Sequence, residues 1–258
     1  MTDQPNPLAV AWSIARARRV RRPRPSGDRW VRSVDYATVL AALRSGGVAA
    51  LPAGRSALLG FRNQMEEVDP DTLSSDGALA FWLNLYNAGA LTLAADALEA
   101  GEPTVLRVPG AFDTPWAMVA GESLSLNDIE HGKIRRFRDP RVHAALVCGS
   151  ASCPTLRYEP FDDTIASQLD DQMRTFLAAG GASADRDTGT LLLSRLFLWY
   201  GGDFVRPGRM PTWLPARRRD LVRAIARWLP AVDADWAIAS TPDVEFATYD
   251  WDLACSVA

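Results

Sequence analysis

The distribution of apolar residues predicts a mainly helical chain built around one strongly apolar helix. Residues 77–100 (GALAFWLNLYNAGALTLAADALEA) are apolar on nearly every face, which is typical of a helix buried on most sides. Asn84 and Asn87 interrupt this run three residues apart, so they share one face of the helix. A buried Asn without hydrogen-bond partners costs about 1–3 kcal/mol. Each of these side chains therefore either braces loop backbone or holds a catalytic group.

Other segments carry helix signals of their own. Ser125, followed three residues later by Asp128, forms a variant of the capping box at the start of LSLNDIEHGKI, residues 124–134. Asp69-Pro70 and residues 74–76 are further helix starts. Apolar residues at helical spacing predict three more helices, at residues 34–43, 161–178 and 221–229.

Strand signals are few and short. Residues 142–147 (VHAALV) form an apolar run that predicts a buried strand, and residues 244–253 (VEFATYDWDL) are strand-like. Residues 105–121 contain several prolines and glycines and are expected to be irregular. We therefore predict an α+β fold. It is a single mixed domain, residues 29–258, in which the buried central helix packs on a small antiparallel sheet.

A basic arm, residues 1–28, precedes this domain. Its arginines are Arg16, Arg18, Arg19, Arg21, Arg22 and Arg24. A flexible, solvated arm is the simplest interpretation, and an anionic partner such as phosphate or anionic lipid is the alternative. The net charge of the chain is −3. This charge argues against nucleic-acid binding by the main domain, since such proteins usually carry a basic surplus.

Hydrophobicity and cysteine content favour a cytoplasmic location. No uninterrupted apolar run of about 20 residues occurs, so no transmembrane segment is predicted. The chain has three cysteines, too few for a disulfide scaffold in a protein of this length. We expect a cytoplasmic protein whose thiols are free to react.

Both histidines lie close to two of the three cysteines. His131, His143, Cys148 and Cys153 all fall between residues 129 and 157. Histidine and cysteine are the side chains whose proton chemistry lies nearest neutral pH. This segment is therefore the predicted site of chemistry or of metal binding.

Either cysteine of this segment is a candidate nucleophile. Pro154 suits the first position of a helix, and Cys153 would then face unpaired backbone N–H groups at the positive end of the helix dipole. That setting lowers the pKa of a thiol and can hold an oxyanion. Cys148 ends the predicted strand before Gly149 and is the alternative, with Cys153 slightly favoured.

His131 is the predicted base, because His143 and Cys148 would lie on opposite faces of the predicted strand. Glu130, Asn84 or Asn87 would orient its imidazole. The substrate cleft would be lined by aromatic and imidazole rings, those of Trp82, Trp116, Trp199 and His143. The prediction is a cysteine-dependent hydrolase or acyltransferase that acts on an amide-like bond of a small-molecule or peptide substrate, without a cofactor.

Three alternatives remain open. Small thiols in an apolar segment are often only packing, so the chain could be a non-catalytic binding or scaffold module. Two cysteines and two histidines could hold zinc. Cys148 and Cys153 could instead form a reversible disulfide.

The motifs resemble the family called domain of unknown function 547. AFWLNLYNAGAL, SLNDIEHGKIR, DPRVHAALVCGSASCPTLR, LSRLFLWYGGDF and YDWDL are similar to its motifs, in order, from Tyr36 to Leu253. The family has no established activity. Some plant relatives lack the paired cysteines, and others are fused to glutaredoxin-like domains, which hints at thiol or glutathione chemistry. The resemblance implies a fold like that of papain or transglutaminase. Positions that match the family are Asn84, Asn87, Glu130, His131, His143, Cys148, Cys153, Trp199 and Asp203.

Overall fold

Helices account for most of the regular structure, and two small sheets complete an α+β chain, as predicted. The structure is a computed structural model, and it describes residues 12, 15–17, 19–32, 34–255 and 257. The described residues form two compact units. Unit one takes its residues from the ranges 1–137, 146–166 and 250–258, and unit two comprises 138–145 and 167–249. The extent of the predicted domain, residues 29–258, stays a prediction.

Unit one is arranged around the predicted central helix. Ser74 begins this helix, because its hydroxyl accepts a hydrogen bond from the N–H of Gly77 at 2.9 Å. Nearly the whole helix is buried, as its sequence predicts. In chain order, the elements of unit one are α1 (Val34–Gly46), α2 (Leu51–Glu66), α3 (Ser75–Glu99), β1 (Pro115–Val119), β2 (Glu122–Ser125) and α4 (Leu126–Gly132).

The central helix α3 packs on a small antiparallel hairpin, β1–β2, as predicted. The indole Nε1 of Trp116 on β1 donates to the carbonyl of Leu85 at 3.2 Å. Gly89 permits this approach, since a Cβ there would lie 2.8 Å from the Trp116 Nε1. The sequence predicted such a sheet without locating its strands, since residues 105–121 were expected to be irregular. The turn of the hairpin places Ala120 and Gly121 at positive φ, the conformation of a tight two-residue hairpin turn.

A local cap also fixes the predicted start of α4. Ser125 accepts from the N–H of Asp128 at 3.2 Å, and Asp128 accepts in return from the N–H of Ser125 at 3.1 Å. The capping box at α4 is therefore confirmed.

Helix α2 was not predicted, because Pro52 and two glycines break its helix signal, although Leu58 and Phe61 are buried on one face.

The strand predicted at residues 142–147 is wrong. Residues Pro140–Ala144 form a 3-10 helix, and residues 145–149 have no regular structure. Pro140 occupies the first position of this turn, and the Asp139 carboxylate accepts from the N–H of Arg141 at 3.0 Å. The Asp-Pro helix start thus overrides the strand preference of the apolar run.

Unit two combines helices with a three-stranded sheet. Strand β4 (Thr190–Leu193) is central, antiparallel to β3 (Ala182–Asp185) and parallel to β5 (Asp243–Phe246). The predicted helices at 161–178 and 221–229 and the strand-like end are confirmed in part, since each element is shorter than predicted. The remaining elements of the chain are α5 (Ile165–Phe176), β3 (Ala182–Asp185), β4 (Thr190–Leu193), α6 (Leu196–Val205), α7 (Arg218–Ile225), α8 (Ala231–Ser240) and β5 (Asp243–Phe246).

Two helical stretches, residues 34–66 and 75–99, have the length and apolar composition that a membrane crossing needs. The most apolar window of the second is entirely buried within the structure, as in the core helix of a folded domain. Length and composition alone are weak support for a membrane span, and the predicted absence of a transmembrane segment stays a prediction.

The described part of the basic arm contacts the rest of unit one. Arg16 forms ion pairs with Asp113 and Asp128 at 3.2 and 3.4 Å, and the backbone N–H of Arg21 donates to Glu122 at 2.8 Å. Residues 1–11, 13, 14 and 18 of the arm, and with them Arg18, lie outside the described residues. Its flexibility and an anionic partner stay predictions.

Candidate functional site

A disulfide joins Cys148 to Cys153 in an irregular loop of unit one. We call residues 147–154 the thiol loop. The helix predicted to begin at Pro154 is not formed, since residues 154–160 contain no helical turn. The prediction that Cys153 lies at a helix N-terminus is therefore wrong. Any stabilisation of its thiolate must come from the loop itself.

The C-terminal segment fastens the thiol loop. The N–H of Ala151 donates to the carbonyl of Asp252 at 2.9 Å, and the N–H of Ala254 donates to the carbonyl of Gly149 at 3.1 Å. Ser152 adds a side-chain contact, because its hydroxyl accepts from the N–H of Asp250 at 2.9 Å. The YDWDL motif thus holds the loop in a fixed conformation through its backbone.

Gly149 and Asn87 fix the start of the loop. Gly149 has φ of 78°, and a Cβ there would lie 3.0 Å from Val105 and 3.2 Å from Ala94. This position therefore requires glycine. The side-chain oxygen of Asn87 accepts from the N–H of Val147 at 3.1 Å, one residue before Cys148. Asn87 is thus a positioning residue for the loop.

Hydrogen-bond donors surround the two sulfur atoms. The N–H of Cys148 points at the Cys153 Sγ at 2.9 Å. The Ser150 Oγ lies 3.0 Å from the Cys148 Sγ and donates to the Cys153 Sγ at 3.4 Å. Both cysteines are half-buried, so solvent reaches them. Ser150 was not predicted, although its place between the cysteines in CGSASC is a signal that could have indicated it.

The third cysteine lies beside the thiol loop. Cys255 and Cys153 line the same cavity of about 30 Å³, which is enough room for one or two water molecules. Burial raises the pKa of the Cys255 thiol to about 12. Cys255 was not predicted, because it lies about a hundred residues further along the chain and its motif contains no other reactive side chain.

Asn84 braces a different loop. Its amide donates to the carbonyl of Phe161 at 2.8 Å, and its oxygen accepts from the N–H of Phe161 at 2.9 Å. Both asparagines of α3 therefore hydrogen-bond to loop backbone, the first of the two roles the sequence allows. A catalytic role for either stays a prediction.

His131 lies in a buried group of charged side chains in unit one. Its Nδ1 is 3.2 Å from the Arg135 guanidinium and 3.3 Å from the Glu130 carboxylate. Glu130 also lies 3.4 Å from the hydroxyl of Tyr86. Since a guanidinium can only donate, Nδ1 accepts from Arg135 when the ring is neutral, and the ring proton is then on Nε2. The structure thus brings Glu130 to His131, where the carboxylate accepts from Nδ1 only when the ring is protonated. An orienting role for Glu130 stays a prediction.

His143 is held by a carboxylate within unit two. Its Nε2 lies 2.9 Å from the carboxylate of Asp203, which is fully buried. The second oxygen of Asp203 accepts from the N–H of Thr212 at 2.9 Å, so the carboxylate cannot rotate freely. The ring of Tyr200 stacks on the imidazole at 4.0 Å. Sequence reasoning noted Asp203 as a motif position and did not pair it with His143.

The predicted aromatic residues have different environments. Trp82 is buried, with Phe81 at its edge and the Lys133 ammonium 5.3 Å from its ring. Trp116 is half-buried against α3, whereas Trp199 is 42% exposed and packs on Tyr249 in unit two. Contact of these rings with a substrate stays a prediction.

The zinc alternative has no support in the described part of the chain. There, no three His, Cys, Asp or Glu side chains are grouped so that they could hold a metal ion. The thiol loop of this structure instead contains a Cys148–Cys153 disulfide, and its reversibility stays a prediction.

Residues 70–177 match the family described as Protein of unknown function, DUF547. The matched range includes α3, α4 and the thiol loop, and it ends before Asp203 and Cys255. The resemblance inferred from the motifs is confirmed over this range. No curated protein and no solved structure matches the chain.

Proposed function

We propose that this chain, whose residues 70–177 match the DUF547 family, carries out thiol–disulfide exchange at Cys148 and Cys153. The observation that carries the proposal is the disulfide between these residues, in a loop where both are half-buried. A disulfide that an incoming sulfur atom can reach is open to exchange, whereas a sealed disulfide is not.

The donors around the sulfur atoms indicate which cysteine reacts first. When the disulfide is reduced, the N–H of Cys148 can donate to the Cys153 sulfur, whereas the hydroxyl of Ser150 can donate to either sulfur. Hydrogen bonds to the charged form lower the pKa of an acid. Cys153 is therefore the residue that carries the thiolate and acts as the nucleophile.

The reaction has two steps. The Cys153 thiolate attacks one sulfur of a substrate disulfide, forms a mixed disulfide and releases the first substrate thiolate. The Cys148 thiolate then attacks the Cys153 sulfur, so the Cys148–Cys153 bond forms and the second substrate thiolate leaves. Two protons pass from the protein thiols to the two substrate thiolates. The protein dithiol is oxidised and the substrate disulfide is reduced.

Trapping the mixed disulfide tests the proposal, with oxidised glutathione as the probe. We expect the reduced Cys148→Ser variant to retain one glutathione at Cys153 by intact-protein mass, because the second step is blocked. The Cys255→Ser control, which keeps both loop cysteines, should return to the internal disulfide. Cys148 and Cys153 that remain thiols after excess oxidised glutathione, by thiol counting, would contradict the proposal.

Acyl transfer by a cysteine nucleophile is the second candidate, favoured by the pairing of His131 with Glu130 in unit one. The Glu130 carboxylate lies 3.3 Å from the Nδ1 of His131 and can stabilise the imidazolium that forms when the ring takes up a proton. In this candidate His131 takes the proton of the Cys148 or Cys153 thiol, and the sulfur forms a thioester with an ester or amide carbonyl. The alcohol or amine leaves with that proton, and water then hydrolyses the thioester.

Hydrolysis of an activated ester by the fully reduced protein separates the two candidates. Acyl transfer predicts that Glu130→Gln lowers kcat by about a hundredfold or more and alters the pH profile. Glu67→Gln, at an exposed position of unit one, should change neither. Melting of the Glu130→Gln protein is measured alongside, because this carboxylate is buried. No hydrolysis above that of the Cys148→Ser, Cys153→Ser double variant would exclude this candidate.

A further inference from the structure

A group of arginines in unit two takes no part in the thiol chemistry. Seven arginines and one acidic residue, Asp220, occur between residues 206 and 227. The arginines are Arg206, Arg209, Arg217, Arg218, Arg219, Arg223 and Arg227. Most of these side chains are exposed. So many cations of one sign in a short segment repel one another unless an anion lies among them.

Three of these arginines line one wall of a concave pocket of about 200 Å³. We call it the arginine pocket. The cationic wall consists of Arg218, Arg219 and Arg223 on α7. The apolar floor includes Val222, Ala237 and Val244, from α7, α8 and β5, all nearly fully buried. The pocket therefore presents charge at its rim and a hydrocarbon surface beneath it.

Two arginines of the rim lack a carboxylate partner. Arg218 lies 3.5 Å from Asp243, but both side chains are largely exposed, so this pair is weak. Among the described residues, no acidic side chain forms an ion pair with Arg219 or Arg223. These two are four residues apart on α7 and so face the same way, where like charges destabilise the helix. An anion between them would accept charge-assisted hydrogen bonds and offset the repulsion.

The backbone of the pocket contains a strained residue. Thr241 has φ of 48°, in the left-handed region, which a β-branched residue rarely adopts. Thr241 lines the arginine pocket between α8 and β5. Strain of this kind persists where the surroundings hold it, and it is concentrated at ligand-binding sites.

We propose that the arginine pocket binds a small amphipathic anion, with a carboxylate or phosphate headgroup against Arg219 and Arg223 and a short hydrocarbon chain on the apolar floor. The pocket is smaller than the roughly 300–1,000 Å³ of sites for drug-sized ligands. The ligand is therefore small or inserts only the end of a longer chain.

Calorimetric titration with matched probes tests each half of the ligand. Octanoate and octyl phosphate should bind saturably, and the tighter of the two identifies the headgroup. Octanol lacks the charge and acetate lacks the chain, so each should bind at least about tenfold more weakly than octanoate. Octanol or acetate binding as tightly as octanoate would overturn the proposal.

Variants locate the binding. Arg219→Gln combined with Arg223→Gln should weaken the tighter probe by about tenfold or more. Arg174→Gln, an exposed arginine on α5 outside the pocket, should change its affinity by less than about twofold. All three positions are exposed, so melting temperatures should match the wild type. Saturable binding that survives the double variant would overturn the proposal. Binding of a single-stranded oligonucleotide without octanoate or octyl phosphate binding would overturn it in favour of a polyanion.

Discussion

Single residues determine the geometry of the thiol loop. Gly149 lets the chain turn at positive φ immediately after Cys148, and Ser150 then places its hydroxyl between the two sulfur atoms. Asn87 holds the residue before Cys148. None of these three residues is large, and Gly149 has no side chain at all. Substitutions at these positions are therefore expected to change the geometry of the loop more than the chemistry of the sulfur atoms.

Replacing Gly149 with Ala should destabilise the protein more than the same change at Gly121. Both glycines have φ near +80°, so both variants lose about 1–2 kcal/mol to backbone strain. Only at Gly149 would the new Cβ crowd Val105 and Ala94, whereas nothing lies within 4 Å at Gly121. Overpacking should add about 1 kcal/mol or more. Urea unfolding measures the difference, and equal losses would show that crowding at Gly149 is unimportant.

At the scale of elements, local signals account for the correct predictions. Caps at Ser74 and Ser125 and the continuous apolar run define α3 and α4 within a few residues. The 3-10 helix at residues 140–144 differs from the predicted strand because Asp139-Pro140 determines backbone geometry that an apolar run does not. Helix α2 was missed because Pro52 and two glycines break its helix signal, and the hairpin was missed because residues 105–121 were expected to be irregular.

Asn84→Ala tests how much helix α3 stabilises the loop that contains Phe161. The variant leaves the buried N–H and C=O of Phe161 without the partners that Asn84 supplies, which should cost about 1–3 kcal/mol in free energy of unfolding. Asn63→Ala on α2 is the control. Asn63 is exposed, so this variant should change stability by less than about 0.5 kcal/mol. Similar losses from both variants would mean that Asn84 does not brace the loop.

At the scale of the whole molecule, the sequence located the reactive segment but not its contacts. The thiol loop is held by residues 250–254, about a hundred positions away, and no local pattern predicts such a pairing. Cys255 was overlooked for the same reason. The preference for His131 over His143 rested on a strand that does not form, and Asp203, the partner of His143, lies 60 residues further along the chain. Long-range geometry of this kind is fixed by packing and not by spacing.

A long-range contact also predicts how stability depends on pH. Burial alone would raise the pKa of Glu122, but hydrogen bonds from the Lys133 ammonium and the Arg21 backbone lower it below its ordinary value of 4.5. A carboxyl whose pKa is lowered by folding stabilises the protein above its unfolded pKa, and this stabilisation is lost as pH falls through the folded pKa. The wild type should therefore lose free energy of unfolding from about pH 5 downwards.

Glu122→Gln should remove this part of the pH dependence. The variant should be less stable than the wild type at pH 7, because the buried Lys133 ammonium loses its anionic partner. The gap should narrow as pH falls from about 5 to about 3, where the wild-type carboxyl becomes protonated. Glu159→Gln, at an exposed position, should follow the wild type throughout. Urea midpoints at several pH values measure both variants. A constant stability gap between the wild type and Glu122→Gln would mean that this contact does not depend on the charge of Glu122. The contact ties the basic arm to the rest of unit one.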